Sequence, residues 1–327
     1  TAYRRCFRLQ APCRGARRLA ELPPPPPWRP VPGEAHTEEP PLPPAKKLPT
    51  RFLADDDLVQ MVNAALYLRR PLLLTGPPGC GKSSLARAVA FELEMGEALE
   101  WPITTRSTLA DGLYRYDAIG RLQEASLPGA SAPLGDFLRL GPLGTALLPR
   151  RQPRVLLIDE IDKSDIDLAN DLLQVFEEGA FEIPELARLR DQEKRVTVRT
   201  CDRAAKAEVV VEQGRVDGTA FPFVILTSNG ERELPPAFLR RCLRLTIALP
   251  TEERLRQILK AHLGLQAISE EAELLIKRFG EDWNSGKTVA TDQLLNAVFL
   301  LTRGSITIAE PERSTLIDTI LRELNAE

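Results

Sequence analysis

One stretch of the chain, residues 71–90, constrains the fold more than any other. It reads PLLLTGPPGCGKSSLARAVA: an apolar run that suits a buried strand leads into a glycine-rich loop and then into a helical pattern. The spacing G-x-x-x-x-G-K-[ST] from Gly76 to Ser83 lets backbone N–H groups turn inward around phosphate oxygens, at the positive end of the following helix. The stretch therefore predicts a phosphate-binding loop, and a plain glycine-rich turn is the alternative.

The residue types in this loop predict individual roles. Lys82 is expected to reach the β and γ phosphates of a nucleotide, and the Ser83 hydroxyl is expected to bind Mg²⁺. Cys80 is interpreted as a small spacer, with an oxidisable thiol as the alternative. The predicted nucleotide-binding residues are Gly76, Pro77, Pro78, Gly79, Cys80, Gly81, Lys82, Ser83 and Ser84.

Composition narrows the class of protein. The chain has 327 residues and 43% apolar residues, enough for two domains and a tail, and its net charge of −3 argues against a general nucleic-acid binder. Its five cysteines are scattered without a C-x-x-C pair, which predicts reduced thiols. No apolar run approaches the roughly 18 residues of a membrane span, and no secretory signal is evident. We therefore expect a cytoplasmic protein.

Residues 1–50 differ in composition from the rest. They hold 13 of the 28 prolines and nine Lys or Arg residues against four Asp or Glu. Such a segment is expected to form an extended, mostly disordered arm or linker, because it cannot bury enough apolar surface to pack a core. A polyproline II ligand for a partner and a basic contact with an acidic surface or nucleic acid are the alternatives.

From residue 51 to residue 249, short apolar runs alternate with helical patterns. This predicts an α/β fold in three layers, with a central parallel sheet and the phosphate site at its carboxyl edge. Two segments, around 106–150 and 181–220, are predicted hairpin insertions. In the first, alternating runs at 113–116 and 121–123 flank a turn, and a plain loop is the alternative. The further predicted strands lie at 99–103, 155–158, 223–227 and 243–249.

Residues 250–327 show only helical periodicity. Their apolar stripes are interpreted as the core faces of a small all-α domain, without a cofactor site. The stripes lie at 255–263, 274–279, 294–301 and 316–324.

A second group of polar residues follows the apolar strands. The run VLLIDEID at 155–162 delivers two acids to one sheet edge: Asp159 is expected to hold Mg²⁺, and Glu160 to deprotonate an attacking water. Asn229, at the tip of the next strand, is expected to hold that water or touch the γ phosphate. The alternatives are acids that merely start a helix, and an Asn-Gly turn at 229–230.

The order of GPPGCGKS, LLIDEID, TSN and PPAFLRRC resembles the AAA+ ATPases over roughly residues 52–325. Within them the chain is most similar to the MoxR group, through the 113–122 region, Gly141-Pro142-Leu143 and the insertion before Asn229. The resemblance implies a P-loop NTPase domain with a helical lid, which binds and hydrolyses ATP with Mg²⁺. It also implies a homo-oligomeric ring, expected to be a hexamer, and a protein partner with a von Willebrand A domain, as in a bacterial conflict system.

The resemblance further implies arginine fingers. Arg241, with Arg240 beside it, is expected to complete the site of a neighbouring subunit, and Arg241 is favoured because it directly precedes the next strand. Two surface arginines are the alternative. Where many family members place a sensing arginine, this chain has Thr291-Asp292-Gln293, so no second sensor is assigned.

Three functions are compatible with these residues. An ATP-driven motor that remodels a protein partner is preferred. A nucleotide-gated scaffold with little turnover is the second, supported by the missing lid arginine. A nucleic-acid-stimulated motor is the third, disfavoured by the near-neutral charge.

Overall fold

A computed structural model describes residues 22, 24–27, 42–45, 52–127, 132–203, 207–263, 268–285 and 291–302. Most of the expected N-terminal arm and the whole fourth helical stripe lie outside the described residues, so both stay predictions. The described chain forms two compact units. The first contains Ala54–Leu74 and Ser83–Leu245, and the second contains Thr75–Lys82 and the residues from Thr246 onward.

A five-stranded parallel sheet forms the centre of the fold, which confirms the predicted α/β class. Its strands are β1 (Leu72–Thr75), β2 (Leu99–Pro102), β5 (Val155–Asp159), β10 (Phe223–Ser228) and β11 (Leu243–Thr246). Their order in the sheet is β11-β1-β10-β5-β2. The parallel pairing places Ile158 opposite Leu226 and Pro102 opposite Asp159.

The middle strands of this sheet are buried along almost their whole length. All six residues of β10 are buried, as are the first four of β5. Strands covered on both faces need apolar side chains at every position, which explains the continuous apolar runs in the sequence. The polar residues at the ends of these runs therefore emerge together at the carboxyl edge of the sheet.

Helices alternate with the strands of the first unit. The helix after β5 begins after Asp165, and the hydroxyl of the preceding Ser164 donates to the Ile161 carbonyl. It ends at Gly179, whose φ of 63° is left-handed. The helices are α1 (Asp56–Leu68), α2 (Lys82–Glu92), α3 (Leu109–Leu113), α4 (Ala118–Ala125), α5 (Pro142–Ala146), α6 (Ile166–Glu178), α7 (Pro184–Ala187) and α8 (Pro236–Arg241).

The two irregular segments contribute to a second sheet of six strands, in the order β3-β4-β7-β8-β9-β6. The predicted hairpin at 113–123 is wrong, because residues 118–125 form α4 and β3 pairs antiparallel with β4 instead. In the second segment, β7 and β8 do pair antiparallel. The strands are β3 (Tyr114–Tyr116), β4 (Leu138–Leu140), β6 (Ala180–Glu182), β7 (Arg195–Arg199), β8 (Glu208–Glu212) and β9 (Arg215–Asp217).

The described part of the second unit is helical after residue 251. Its helices are α9 (Glu252–Leu263), α10 (Glu270–Asn284) and α11 (Thr291–Thr302). Their apolar stripes meet in one core that includes Leu259, Phe279 and Val298. Among the residues described, each helix is too short or too polar to cross a lipid bilayer.

Candidate functional site

The glycine-rich loop links β1 to α2 with left-handed backbone at two glycines. Gly79 has a φ of 74° and Gly81 a φ of 91°, conformations that side-chain-bearing residues rarely adopt. At Gly76 an added Cβ would lie 2.5 Å from the Ile247 carbonyl oxygen, so this position also requires glycine. The loop therefore has the backbone geometry that its glycines suggested.

Lys82 lies at the start of α2 with its side chain folded onto the loop. It is buried, and its Nζ donates to the carbonyls of Gly76 at 2.6 Å and Pro77 at 2.7 Å. Both acceptors are carbonyl oxygens of the glycine-rich loop, so the ammonium lies against the backbone of that loop. A phosphate group is the kind of ligand that such a buried cation favours.

Cys80 is the other reactive side-chain type in the loop. Burial raises the pKa of the Cys80 thiol, and the nearby Lys82 ammonium opposes this with a smaller effect. A thiol with a raised pKa stays protonated near neutral pH and is a poor nucleophile. This favours the interpretation of Cys80 as a spacer over that of a reactive thiol.

Asp159, at the end of β5, is the centre of a hydrogen-bond network in the first unit. Its Oδ1 accepts from the Ser83 hydroxyl at 2.7 Å and from the Thr227 hydroxyl at 2.6 Å. The parallel register explains the second bond, because Ile158 faces Leu226 and the next residues of the two strands are Asp159 and Thr227. The sequence did not point to Thr227, because the register that places it beside Asp159 is set by the tertiary structure.

Thr227 also sets the backbone that carries Glu160. Its Oγ1 accepts from the Glu160 N–H at 2.8 Å, and Glu160 has a φ of 62°, an uncommon left-handed conformation for a non-glycine residue. The same buried hydroxyl thus contacts both predicted acidic residues. It is a positioning group for the predicted Mg²⁺ ligand and for the predicted base.

The Glu160 carboxylate has two side-chain partners. Oε1 accepts from Asn229 Nδ2 at 3.4 Å, so the structure brings together the predicted base and the predicted water-holding amide. Oε2 accepts from Lys163 Nζ at 2.7 Å, and this hydrogen bond is the main reason that the pKa of Lys163 is raised. Lys163 lies one short helical turn after Glu160, and the sequence did not point to it.

Asp162 fixes the loop in which Asn229 lies. Its side chain is buried, and Oδ2 accepts from the backbone N–H groups of Asn229 and Glu231, both at 2.9 Å. A buried carboxylate held by two N–H donors locks the loop that follows β10. Asp162 therefore positions the loop that carries Asn229, whose side chain contacts Glu160.

The residues present fit Mg²⁺. Mg²⁺ prefers oxygen ligands and is commonly held by one or two carboxylates together with substrate phosphates. The Ser83 hydroxyl and the Asp159 carboxylate meet within hydrogen-bond distance and supply only oxygen ligands. The donor set is therefore suitable for Mg²⁺ and unsuitable for a softer metal that selects thiolate or imidazole.

Arg240 and Arg241 end α8, away from this network. The Arg241 guanidinium forms an exposed ion pair with Glu177 of α6, and donates to the Ala237 carbonyl at 3.4 Å. Arg240 is exposed, and the Arg70 side chain donates to the carbonyls of both arginines. Within this chain, the described contacts of the pair thus do not include Asp159, Glu160 or Asn229.

Replacing Thr227 with Val tests the positioning role. The change keeps the shape but removes the donor to Asp159 and the acceptor for the Glu160 N–H, leaving buried groups unsatisfied, and we expect a loss of about 1–3 kcal/mol in the free energy of unfolding. Chemical denaturation measures it. Thr197→Val, at an exposed position of β7, is the control and should change stability by less than about 0.5 kcal/mol. Equal stability of the two variants would contradict the role.

A strand followed by a glycine-rich loop with a buried lysine, and a second strand of the same sheet that ends in paired acids, together define a P-loop nucleotide-binding protein. Residues 71–242, more than half of the chain, match the family described as AAA domain (dynein-related subfamily). The chain belongs to this family.

Two chaperones resemble parts of the chain. The chloroplastic chaperone protein ClpD2 of Oryza sativa subsp. japonica is 31% identical over 146 residues, which are 41% of this chain and 14% of that protein. The chaperone protein ClpB of Chlamydia pneumoniae is 35% identical over 118 residues, 34% of this chain and 12% of that protein. The chain thus spans only a small part of the length of either relative.

Among solved structures, the chain is similar to the crystal structure of NtrX from Brucella abortus in complex with ADP. The TM-score is 0.39 at 16% sequence identity, and the match covers 83% of this chain and 55% of that chain.

Proposed function

We propose that the protein is a MoxR-like ATPase that hydrolyses ATP with Mg²⁺ at the subunit interfaces of a ring, and that it uses this energy to remodel or activate a protein partner. The observation that carries the proposal is the single network that joins Ser83, Asp159, Thr227, Glu160 and Asn229. Hydrolysis needs a metal-binding group and a base held a few ångströms apart, and in this proposal Asp159 and Glu160 have those two roles.

Each side chain has a role in this proposal. The loop from Gly76 to Ser84 binds the phosphates, with Lys82 as the charged contact, and Ser83 and Asp159 hold Mg²⁺. Bound Mg²⁺ would neutralise charge on the phosphate oxygens. Glu160 accepts the proton of the attacking water, and Asn229 orients that water through a neutral amide.

Lys163 has a role in this proposal that the sequence did not suggest, as the partner that Glu160 exchanges for a water molecule. Its ammonium pairs with Glu160, and the two side chains are 37% and 39% exposed. Such a partly exposed pair contributes little stability, so Glu160 can exchange this partner for a water molecule at small cost.

The proposed arginine finger acts across a subunit interface. Arg241 is proposed for this role with Arg240 beside it, and its present partner, Glu177, is 50% exposed. Exposed ion pairs contribute about 0–1 kcal/mol, so a neighbour's phosphate can replace Glu177 as the partner of Arg241. Hydrolysis then depends on assembly into a ring, which we propose to be a hexamer.

The partner is proposed to be a protein, of the von Willebrand A domain type that the MoxR resemblance implies, and the setting is proposed to be the cytoplasm. The chaperone names of the partial relatives support a protein rather than a nucleic acid as the target.

The proposal is tested by measuring phosphate release and molar mass on the same sample. Purified protein is assayed with ATP and Mg²⁺, with ATP and excess EDTA, and with GTP, while light scattering reports its mass with ADP, with an ATP analogue and without nucleotide. We expect Mg²⁺-dependent turnover that rises with assembly. Assembly with ATP but without turnover would favour the scaffold function, and stimulation by DNA that high salt abolishes would favour the nucleic-acid motor.

A further inference from the structure

The exposed face of the six-stranded sheet carries a row of three arginines on adjacent strands. Arg115 of β3 lies opposite Arg139 of β4, and Arg139 lies opposite Arg199 of β7. Residues that pair across a sheet share one face, and all three are exposed while their strand neighbours Leu138, Leu140 and Val198 are buried. We call Arg115, Arg139 and Arg199 the arginine row.

A second row on the same face shows how cross-strand charges are normally arranged. Arg195 lies opposite Glu212, Glu212 opposite Arg215, and Arg215 opposite Glu182. The charges therefore alternate from strand to strand, and Arg195 and Glu212 form an ion pair at 3.4 Å. Opposite charges directly across a sheet are stabilising, so the side chains of this alternating row compensate one another's charge.

The arginine row instead places charges of the same sign next to one another. Like charges directly opposite on neighbouring strands, about 4.8 Å apart, repel one another and destabilise the sheet. Intramolecular compensation is small among the described residues: Arg115 approaches Asp111 at 3.7 Å with its side chain 76% exposed, and Arg139 donates to the Thr200 carbonyl. Arg199 faces Glu208 across the strands, but no ion pair joins them in the described structure.

We propose that the arginine row is the docking site for an acidic protein segment, whose carboxylates supply the missing negative charge. Guanidinium groups bind carboxylates through paired hydrogen bonds, and three in a row on a rigid sheet fix the direction of an extended segment. This inference deepens the proposed action on a protein partner and rests on it for the choice of a protein as the occupant.

The surroundings favour a protein over nucleic acid. Val210 is 42% exposed on the same face of β8, and α4, which starts two residues after β3, exposes Ile119 and Leu122 by 70% and 72%. Aliphatic side chains suit the apolar residues of a peptide, whereas single-stranded nucleic acid is usually held by aromatic rings that stack on its bases. Tyr114 and Tyr116 of β3 are half-buried and alternate with Arg115, so they do not lie on the face of the arginine row.

The test is direct binding of the full chain to a fluorescently labelled peptide in which Glu alternates with Ala, followed by fluorescence anisotropy. In an extended peptide every Glu then points to the same side. We expect binding that weakens as salt is added, and a loss of about 10- to 100-fold in affinity in the variant Arg115→Gln/Arg139→Gln/Arg199→Gln. The matched control, Arg195→Gln/Arg215→Gln, removes two arginines from the alternating row and should bind the peptide within about threefold of the unmodified chain.

Thermal unfolding separates a binding defect from misfolding. Because removing like charges relieves repulsion, the arginine-row variant should unfold at an equal or higher temperature than the unmodified chain, while the control variant should unfold at an equal or lower one. Neither variant changes a residue of the proposed ATP site, so turnover with ATP alone should stay the same in both. Binding of the peptide without any ATP turnover would contradict the proposed function but not the proposed docking site.

Three outcomes would overturn the inference. One is that the Glu-Ala peptide binds no better than the same peptide with Gln in place of Glu. Another is equal loss of binding in the arginine-row variant and in the control. The third is tighter binding of single-stranded poly-dT than of the peptide, lost only in the arginine-row variant, which would assign the row to nucleic acid.

Discussion

Arg241→Ala is expected to lower ATP turnover by about 10³- to 10⁵-fold while the variant still binds nucleotide, because an arginine finger stabilises charge that develops on the transferred phosphate. The loss should appear in assembled protein, since the proposed finger acts on a neighbour's ATP. Phosphate release measured at concentrations where light scattering shows a ring is the appropriate assay.

Three further variants make this experiment specific. Arg244→Ala removes an exposed arginine of β11 and should leave turnover within about twofold. Glu177→Gln removes the described partner of Arg241 without removing the guanidinium, so turnover should persist. Arg240→Ala should cause a smaller loss than Arg241→Ala, and the reverse order would assign the finger to Arg240.

Mixing adds a test of the interface. When Arg241→Ala protein is added to unmodified protein, each mixed ring contains unmodified sites that lack a neighbour's arginine. Turnover of the mixture should therefore fall by more than the dilution of active subunits. A fall that is simply proportional would contradict a site shared between subunits.

Glu160→Gln is expected to lower turnover by about 10²- to 10⁴-fold and to leave nucleotide affinity almost unchanged. The amide has the size of the carboxylate and can still contact Asn229, but it cannot accept the proton of the attacking water. Single-turnover phosphate release measures the chemical step, and the binding of a fluorescent nucleotide measures affinity.

A neighbouring acid supplies the control for Glu160. Glu231 is exposed in the loop after β10, and its backbone N–H rather than its carboxylate takes part in the network. Glu231→Gln should therefore keep turnover within about twofold. Unchanged hydrolysis in Glu160→Gln would remove Glu160 from its role as base, and a large loss of nucleotide affinity would show that it acts in binding instead.

The two effects should also differ in their dependence on assembly. Glu160 is proposed to act within its own subunit, so Glu160→Gln should lower the residual turnover of dilute, unassembled protein as well as the turnover of the ring. Arg241 is proposed to act on a neighbour's ATP, so Arg241→Ala should lower the turnover of the ring and leave the residual turnover of dilute, unassembled protein unchanged. Comparing both variants across a dilution series therefore distinguishes the base from the finger.

Much of the central sheet could be predicted from the sequence, because strands buried on both faces require continuous apolar runs. The predicted strands at 155–158 and 223–227 correspond to β5 and β10, each of which extends one residue farther than predicted. The second sheet was harder to predict from the sequence. Residues 121–123 alternate like a strand but lie in α4. The partner of β3 is β4, more than twenty residues farther along the chain. Strand partners that are distant in sequence leave no local signal.

The arginine row illustrates the same limit. Arg115, Arg139 and Arg199 do not stand out in the sequence, where a single arginine between uncharged residues indicates only an exposed strand position. The register of three strands makes them neighbours, and that register follows from the packing of the whole sheet. Their proposed role could therefore not have been stated without the tertiary structure.

The sequence by itself predicted the phosphate loop, the acids Asp159 and Glu160 at the end of β5, and Asn229, because the chemistry of each role requires that residue type at a fixed distance from a strand end. Only the tertiary structure showed that Thr227 joins Asp159 to Glu160, that Asp162 holds the loop of Asn229, and that Lys163 and Glu177 engage the proposed base and finger. The physical reason is that these hydrogen bonds depend on which strand and helix ends lie close together in space. The separation of two residues along the chain does not indicate whether they do.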